Sequence, residues 1–88
     1  MDFRWNEWNV DHIAEHGIDP LEAEYVVQNA RSPFPRYDGD GKYRVWGRTP
    51  AGLYLQVVFV YSPPSVIFVI HARPLTENEK RLFRRKRK

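Results

Sequence analysis

Residues 42–72 read KYRVWGRTPAGLYLQVVFVYSPPSVIFVIHA, and their pattern predicts the sheet around which the chain folds. Its first eight residues alternate in character, which predicts a strand with two different faces. One face carries Lys42, Arg44, Trp46 and Arg48, and the other carries Tyr43, Val45, Gly47 and Thr49. Residues 53–60 are apolar on both faces, as is typical of a covered central strand. Turn signals at 49–52 and at Pro63-Pro64 separate consecutive strands, so the stretch predicts an antiparallel sheet.

The strand predicted over residues 66–72 also alternates. Simple alternation places Ile67, Val69, His71 and Arg73 on one face and Val66, Phe68, Ile70 and Ala72 on the other. Residues 35–37 are followed by Asp38-Gly39-Asp40-Gly41, a turn signal that predicts a hairpin with the strand starting at Lys42. Residues 3–5 form a further candidate edge strand. We therefore expect a sheet of about four strands.

Two helices are predicted before this sheet and one after it. Asn6 is a suitable N-cap for a helix over residues 7–16, which Gly17 ends. Asp19-Pro20 with Glu22 forms a capping box for a second helix, which ends at Ser32-Pro33. Thr76 and Glu79 form another capping box and open a basic C-terminal helix. The predicted class is α+β.

Composition limits the kind of protein. Eighty-eight residues predict one domain, residues 1–88, and 42% hydrophobic residues are enough for a packed core. The absence of cysteine excludes disulfides and thiolate metal sites and fits a reducing compartment. The first residues contain no apolar signal core, and the apolar run from Leu53 to Tyr61 is too short for a membrane helix. We expect a cytoplasmic protein with no membrane partner.

Charge is distributed unevenly along the chain. Residues 1–30 carry a net charge of −6, residues 31–75 carry +4, and residues 76–88 carry +5. A basic surface concentrates polyanions such as RNA. The alternative is that the basic tail neutralises the acidic helices of its own chain.

Two motifs resemble metal sites only in part. His12-Ile13-Ala14-Glu15-His16 matches H-x-x-E-H, a zinc motif with two imidazoles on one helix face, but the sequence offers no third ligand. We interpret His12 as a surface residue and His16 as a helix-end residue that favours the negative end of the dipole. Asp38-Gly39-Asp40-Gly41 lacks the remaining calcium ligands and is interpreted as a turn. No metal is expected.

The basic side chains form the more informative group. Lys42, Arg44, Arg48, His71 and Arg73 converge if their strands are neighbours. The planar guanidinium group of arginine donates paired hydrogen bonds to phosphate oxygens, and histidine can transfer a proton near neutral pH. Four aromatic residues are candidates for stacking on bases: Trp5, Trp8, Tyr43 and Trp46. Each group also has a structural interpretation. The tryptophans are then core residues, the alternating basic residues form a solvated strand face, and His71 is a buried histidine.

An ordered series of short motifs resembles the BrnT family. The matching segments are Phe3-Arg4-Trp5-Asn6 with Asn9, His16-Gly17-Ile18, Glu22-Ala23, Gly47-Arg48, Ala72-Arg73-Pro74, and Thr76 with Glu79-Lys80-Arg81. They follow the family order and cover most of the chain.

The resemblance implies a RelE-like microbial ribonuclease fold and the toxin of a type II toxin–antitoxin pair, which inhibits translation by cutting RNA without metal or other cofactor. It implies a BrnA-like antitoxin that covers the active face and alone binds operator DNA. Arg48 and Arg73 are then the catalytic candidates. His71, which departs from the family pattern, is the candidate general acid or base on the chemistry of its imidazole. The expected RNA-binding residues are Lys42, Arg44, Trp46, Arg81, Arg84 and Arg85. Self-association into a homodimer stays open, as do a non-catalytic nucleic-acid-binding module and a protein-interaction domain.

Overall fold

The structure is a computed structural model that describes residues 1–62 and 65–86. In chain order its elements are β1 (Asp2–Arg4), α1 (Glu7–Ala14), α2 (Pro20–Gln28), β2 (Arg36–Gly39), β3 (Lys42–Arg48), β4 (Tyr54–Ser62), β5 (Val66–Pro74) and α3 (Glu77–Lys86). The turn predicted at Pro63-Pro64 and the last two residues of the basic tail, Arg87 and Lys88, lie outside the described residues.

The described elements confirm the α+β class but differ from the prediction in the sheet. The sheet has five strands in the order β1-β5-β4-β3-β2, and β1 precedes both N-terminal helices. β1 pairs parallel to β5, whereas the other neighbours are antiparallel, so the sheet is mixed. β1 has only three residues, which is too short a pattern to predict whether it runs parallel or antiparallel to β5.

A bulge in β5 overturns the predicted faces of that strand. Val58 pairs with His71 but Phe59 pairs with Val69, so Ile70 has no partner of its own on β4. The extra residue moves the following side chains to the opposite face. Ile67 and Val69 belong to the buried core, whereas His71 and Arg73 point with Val58 and Gln56 to the other face of the sheet.

The helix caps match the sequence, but two helices end earlier than predicted. Asn6 and Asn9 exchange reciprocal hydrogen bonds at the start of α1, and the Asn9 amide also donates to the carbonyl of Arg4, which links β1 to α1. α1 ends at Ala14 and α2 at Gln28. Residues 15–17 form a turn in which Gly17 has a φ of +73°, so His16 follows the helix and is not part of it.

The core contains residues of the sheet and the two N-terminal helices, and it also includes Phe34, Trp46 and Phe83. α2 packs on β3 and β4, and α1 packs on β5. Gly47 allows this close approach, because a Cβ atom there would lie 2.9 Å from Cγ1 of Val26 on α2. Within residues 1–62 and 65–86, no helix has the length and apolar composition needed to cross a membrane.

Candidate nucleic-acid interface

Three cationic side chains surround the ring of Tyr54, the first residue of β4. The Arg48 Cζ, Lys80 Nζ and Arg84 Cζ atoms lie 5.6, 5.9 and 5.7 Å from the ring centroid. Each distance is within the range of a cation–π contact. We call these four residues the Tyr54 cluster.

The positions of the Tyr54 cluster follow from the local structure. Arg48 is the last residue of β3 and stands directly opposite Tyr54 in the β3–β4 pairing. Lys80 and Arg84 are four residues apart on α3, so they share one face of the helix. Phe83 fixes α3 against the sheet, because its buried ring meets the Tyr54 ring edge-on at 6.0 Å.

The positive charge of the Tyr54 cluster is largely unneutralised. Among the described residues, neither Arg48 nor Arg84 has a carboxylate within ion-pair distance, while Lys80 pairs with Glu77 at 3.0 Å. This hydrogen bond from Lys80 lowers the pKa of Glu77. Two guanidinium groups beside one aromatic ring are well suited to binding the oxygens of a phosphodiester.

Two pockets border the Tyr54 cluster. One, of about 130 Å³, opens beside Arg48 and is lined in part by Tyr25, Asn29 and Arg31. The other, of about 260 Å³, is lined in part by His16, Leu53, Tyr54 and Lys80. A ribose-phosphate segment that entered the second pocket would contact the Tyr54 ring and an ammonium group together.

Arg73, a catalytic candidate from the sequence, is held by neighbouring side chains. It donates two hydrogen bonds to the Glu79 carboxylate, at 2.7 and 2.9 Å, one to the Pro74 carbonyl and one to Gln56 Oε1. Guanidinium has five N–H donors, and four of them are used in these hydrogen bonds to described residues. The Arg73–Glu79 contact lowers the pKa of Glu79 to about 2 and raises that of Arg73.

Trp46, an RNA-binding candidate, lies in the core with 8% of its surface exposed. Its indole N–H donates to Gln56 Oε1 at 2.9 Å, and the same oxygen accepts from Arg73. Phe34 packs on one side of the ring, and the Arg44 guanidinium lies 5.7 Å from its centroid. Most of the Trp46 ring is therefore covered, although it also lines the pocket beside Arg48.

The remaining candidates are distributed over several parts of the surface. His71 lies on β5, with β4 between it and Arg48, and the strand geometry places their backbones about 16 Å apart. Lys42 lies at the far end of β3 from Arg48, and Arg44 contacts Asp38 at 3.4 Å. Arg81 and Arg85 are exposed on α3, where Arg81 bonds Asn78.

The aromatic candidates at the N-terminus are structural as well. Trp5 donates its indole N–H to Glu24 of α2 at 2.7 Å and packs against the core. Trp8 stacks between His12 and Phe68, although 54% of it is exposed. Neither lies in the Tyr54 cluster.

Two members of the Tyr54 cluster were not predicted from the sequence. Tyr54 lies in a run that looks uniformly apolar, and Lys80 lies in a basic helix among similar residues. Only the strand register and the docking of α3 bring them to Arg48. The signal in the sequence is a tyrosine two residues after the turn that follows the Gly47-Arg48 pair.

Comparison with known proteins gives no family assignment, since no family model, curated protein or solved structure matches the chain. The geometry of the Tyr54 cluster and the sequence resemblance are therefore the two features that bear on function.

Proposed function

We propose that this protein is an RNA-cleaving toxin of the BrnT type, with a RelE-like fold and its active site at the Tyr54 cluster. The observation that carries the proposal is the arrangement of Arg48, Lys80 and Arg84 around one tyrosine ring. A concentrated positive charge beside a pocket favours the dianionic transition state of phosphodiester cleavage.

In the proposed reaction, the ribose 2′-oxygen attacks the adjacent phosphorus and the 5′-oxygen leaves. The products are a 2′,3′-cyclic phosphate and a 5′-hydroxyl end, and the proton lost from the 2′-hydroxyl is balanced by one gained at the 5′-oxygen. Arg48 and Arg84 neutralise the charge on the phosphate oxygens. The Tyr54 ring lies among these cations, and we assign the proton transfer to its hydroxyl. No step needs a metal ion or another cofactor.

Arg73 acts as a positioning residue in this proposal. Its hydrogen bonds to Glu79 and Gln56 join α3 to the sheet, and α3 carries Lys80 and Arg84. His71, about 16 Å from Arg48 along the sheet, is not assigned a proton-transfer role. Arg81 and Arg85 extend the basic surface of α3 toward flanking phosphates.

We propose a BrnA-like antitoxin as the protein partner. Leu53 directly precedes Tyr54, and Leu82 lies on α3, the helix that carries Lys80 and Arg84; both leucines are exposed. A partner with apolar and acidic side chains would bury both leucines and neutralise the cations, which would block RNA access. Operator DNA would then be bound by the antitoxin.

Controlled expression in bacteria tests the proposal. The native chain should arrest growth and shorten cellular RNA, whereas Arg48→Ala should do neither at the same abundance. Arg36→Ala is the matched control, because Arg36 is an exposed arginine on β2, outside the Tyr54 cluster. Normal growth with native protein that is folded and abundant would contradict the toxin assignment.

The separation of His71 from Arg48 favours one alternative, a nucleic-acid-binding module without catalysis. Such a module would bind RNA with similar salt dependence, because the same cations contact phosphate. It would leave the RNA intact, so the length of the RNA after binding distinguishes the two functions.

A further inference from the structure

The face of the sheet that points away from α2 carries two rows of side chains that cross several strands. Because Gly47 faces α2, alternation along β3 turns Lys42 and Arg44 to the opposite face. Side chains that pair directly across strands share a face of the sheet. On the face of Lys42 and Arg44, one row therefore contains Arg36, Arg44 and Val58, and the other contains Lys42, Val60, Phe68 and Arg4.

This surface, which we call the cationic face, has an apolar centre and a positive rim. The half-buried side chains of Val58 and Val60 form the centre. The rim consists of four cationic residues: Arg4, Arg36, Lys42 and Arg44. Among the described residues, only Arg44 of these four has a carboxylate within ion-pair distance, that of Asp38 at 3.4 Å. The cationic face therefore has positive charge and apolar area that its own chain leaves uncovered.

The outer side of α2 presents a complementary surface. Leu21 and Tyr25 are four residues apart and form one ridge, in which 76% of Leu21 and 38% of Tyr25 are exposed. Helical geometry places Glu22 and Glu24 on either side of this ridge, and Asp19 caps the helix. No cationic residue lies in α2 or at its cap. None of the carboxylates in residues 1–30 forms an ion pair with another residue of the described chain.

The sheet separates these two surfaces, so the carboxylates of α2 cannot reach the cationic face of their own chain. We propose that the cationic face of one copy binds the outer side of α2 of a second copy. Leu21 and Tyr25 then pack against Val58 and Val60, and the carboxylates of α2 approach the cationic rim. The contact is head-to-tail, so each end of a pair keeps one free surface. It does not depend on the proposed ribonuclease activity, because no member of the Tyr54 cluster takes part.

The aromatic rings beside the cationic face favour a protein over single-stranded RNA as its occupant. RNA binding on an open sheet depends on bases that stack on exposed rings. The Phe68 ring already contacts Arg4 Cζ at 5.3 Å and the Trp8 ring at 6.0 Å. Trp8 also stacks on His12 at 5.0 Å. The two valines at the centre offer no plane for a base, whereas they suit an apolar side chain such as that of Leu21.

Sedimentation equilibrium of the native chain at about 50 mM and about 500 mM NaCl tests the contact. We expect self-association with a Kd of about 100 μM or tighter at low salt, and monomer at high salt, because salt screens exposed charges. Leu21→Arg, and separately Arg36→Glu with Lys42→Glu, should each weaken association by about tenfold or more. Arg81→Glu is the matched control, since Arg81 is an exposed arginine on α3 outside both surfaces, and it should associate like the native chain.

A mixture of the two variants distinguishes head-to-tail contact from other kinds of self-association. Leu21→Arg keeps an intact cationic face, and the Arg36→Glu, Lys42→Glu protein keeps an intact α2. The mixture should therefore form a one-to-one heterodimer that grows no further. Circular dichroism checks that both variants are folded, and if the double variant does not fold, Arg36→Glu alone takes its place.

Three results would overturn the contact. One is a native chain that stays monomeric at about 1 mM protein and low salt. Another is a mixture of the folded variants that stays monomeric, or variants that associate as strongly as the native chain. The third is association that occurs only with added RNA, which would assign the cationic face to nucleic acid instead.

Discussion

The Arg73 guanidinium and the Glu79 carboxylate form a two-point ion pair, with N–O distances of 2.7 and 2.9 Å. Glu79 also accepts a hydrogen bond from the backbone N–H of Thr76 at the start of α3. One carboxylate therefore caps the helix and fastens it to β5. Since α3 carries two of the three cations around Tyr54, this pair sets the geometry of the candidate site.

Glu79→Gln should destabilise the protein by about 1–2 kcal/mol at pH 7. Glutamine retains the capping hydrogen bond to Thr76 but loses the charge that pairs with Arg73. The pKa of Glu79 is lowered from 4.5 to about 2, so its contribution is complete above pH 4.5 and is lost as the pH falls toward 2. Urea unfolding of both proteins at several pH values measures this difference. A gap that stays constant down to pH 2 would contradict the explanation.

Gly47→Ala should lower the free energy of unfolding by about 1–3 kcal/mol, because the new methyl group would meet Val26 inside a packed core. The backbone is not the cause, since Gly47 is not among the glycines with positive φ. Adding Val26→Ala to this variant should cost less than the sum of the two single changes. Thermal or urea unfolding of the three variants checks this, and strict additivity would show that the two residues do not compete for space.

Gln56→Leu should cost about 1–3 kcal/mol, because it leaves the buried indole N–H of Trp46 without an acceptor. The double variant Trp46→Phe with Gln56→Leu should lose less free energy of unfolding than the sum of the two single losses, since the buried indole donor is gone and only the Arg73 N–H loses its Gln56 acceptor. Unfolding free energies from a double-mutant cycle test this coupling.

RNA affinity should depend on salt through the Tyr54 cluster. Each of Arg48→Ala and Arg84→Ala should reduce the slope of log K against log salt by about 0.7, the value for one phosphate contact in a single strand. A 2′-O-methyl RNA serves as the ligand, because it lacks the nucleophile and cannot be cleaved. Arg36→Ala should leave the slope unchanged, and an equal loss in all three variants would instead indicate diffuse binding.

The sequence predicts features that depend on a few adjacent residues. The capping boxes at Asp19 and Thr76 are examples, because each cap is a local hydrogen-bonding pattern. The bulge at Ile70 is not predictable in this way, since alternation continues through it and only the pairing with β4 reveals the extra residue. As a result, the sequence placed His71 and Arg73 on the wrong face.

The candidate site shows the same limit. Arg48 was identified from its neighbours in sequence, whereas Tyr54 and Lys80 join it only through the β3–β4 register and the docking of α3. The hydrogen bonds of Arg73 to Glu79 and Gln56 are likewise not predictable from the sequence, because they join two strands and a helix.

The chemical nature of the RNA ends distinguishes a ribonuclease site from a surface that only binds RNA. RNA is incubated in a bacterial translation extract with native protein, Arg48→Ala or Arg36→Ala, and the new 5′ ends are mapped. Attack by the 2′-hydroxyl predicts 5′-hydroxyl ends with native protein and Arg36→Ala, and a rate about 10²–10³ lower with Arg48→Ala. Equal cleavage by Arg48→Ala, or no new ends with native protein, would contradict a ribonuclease site at the Tyr54 cluster.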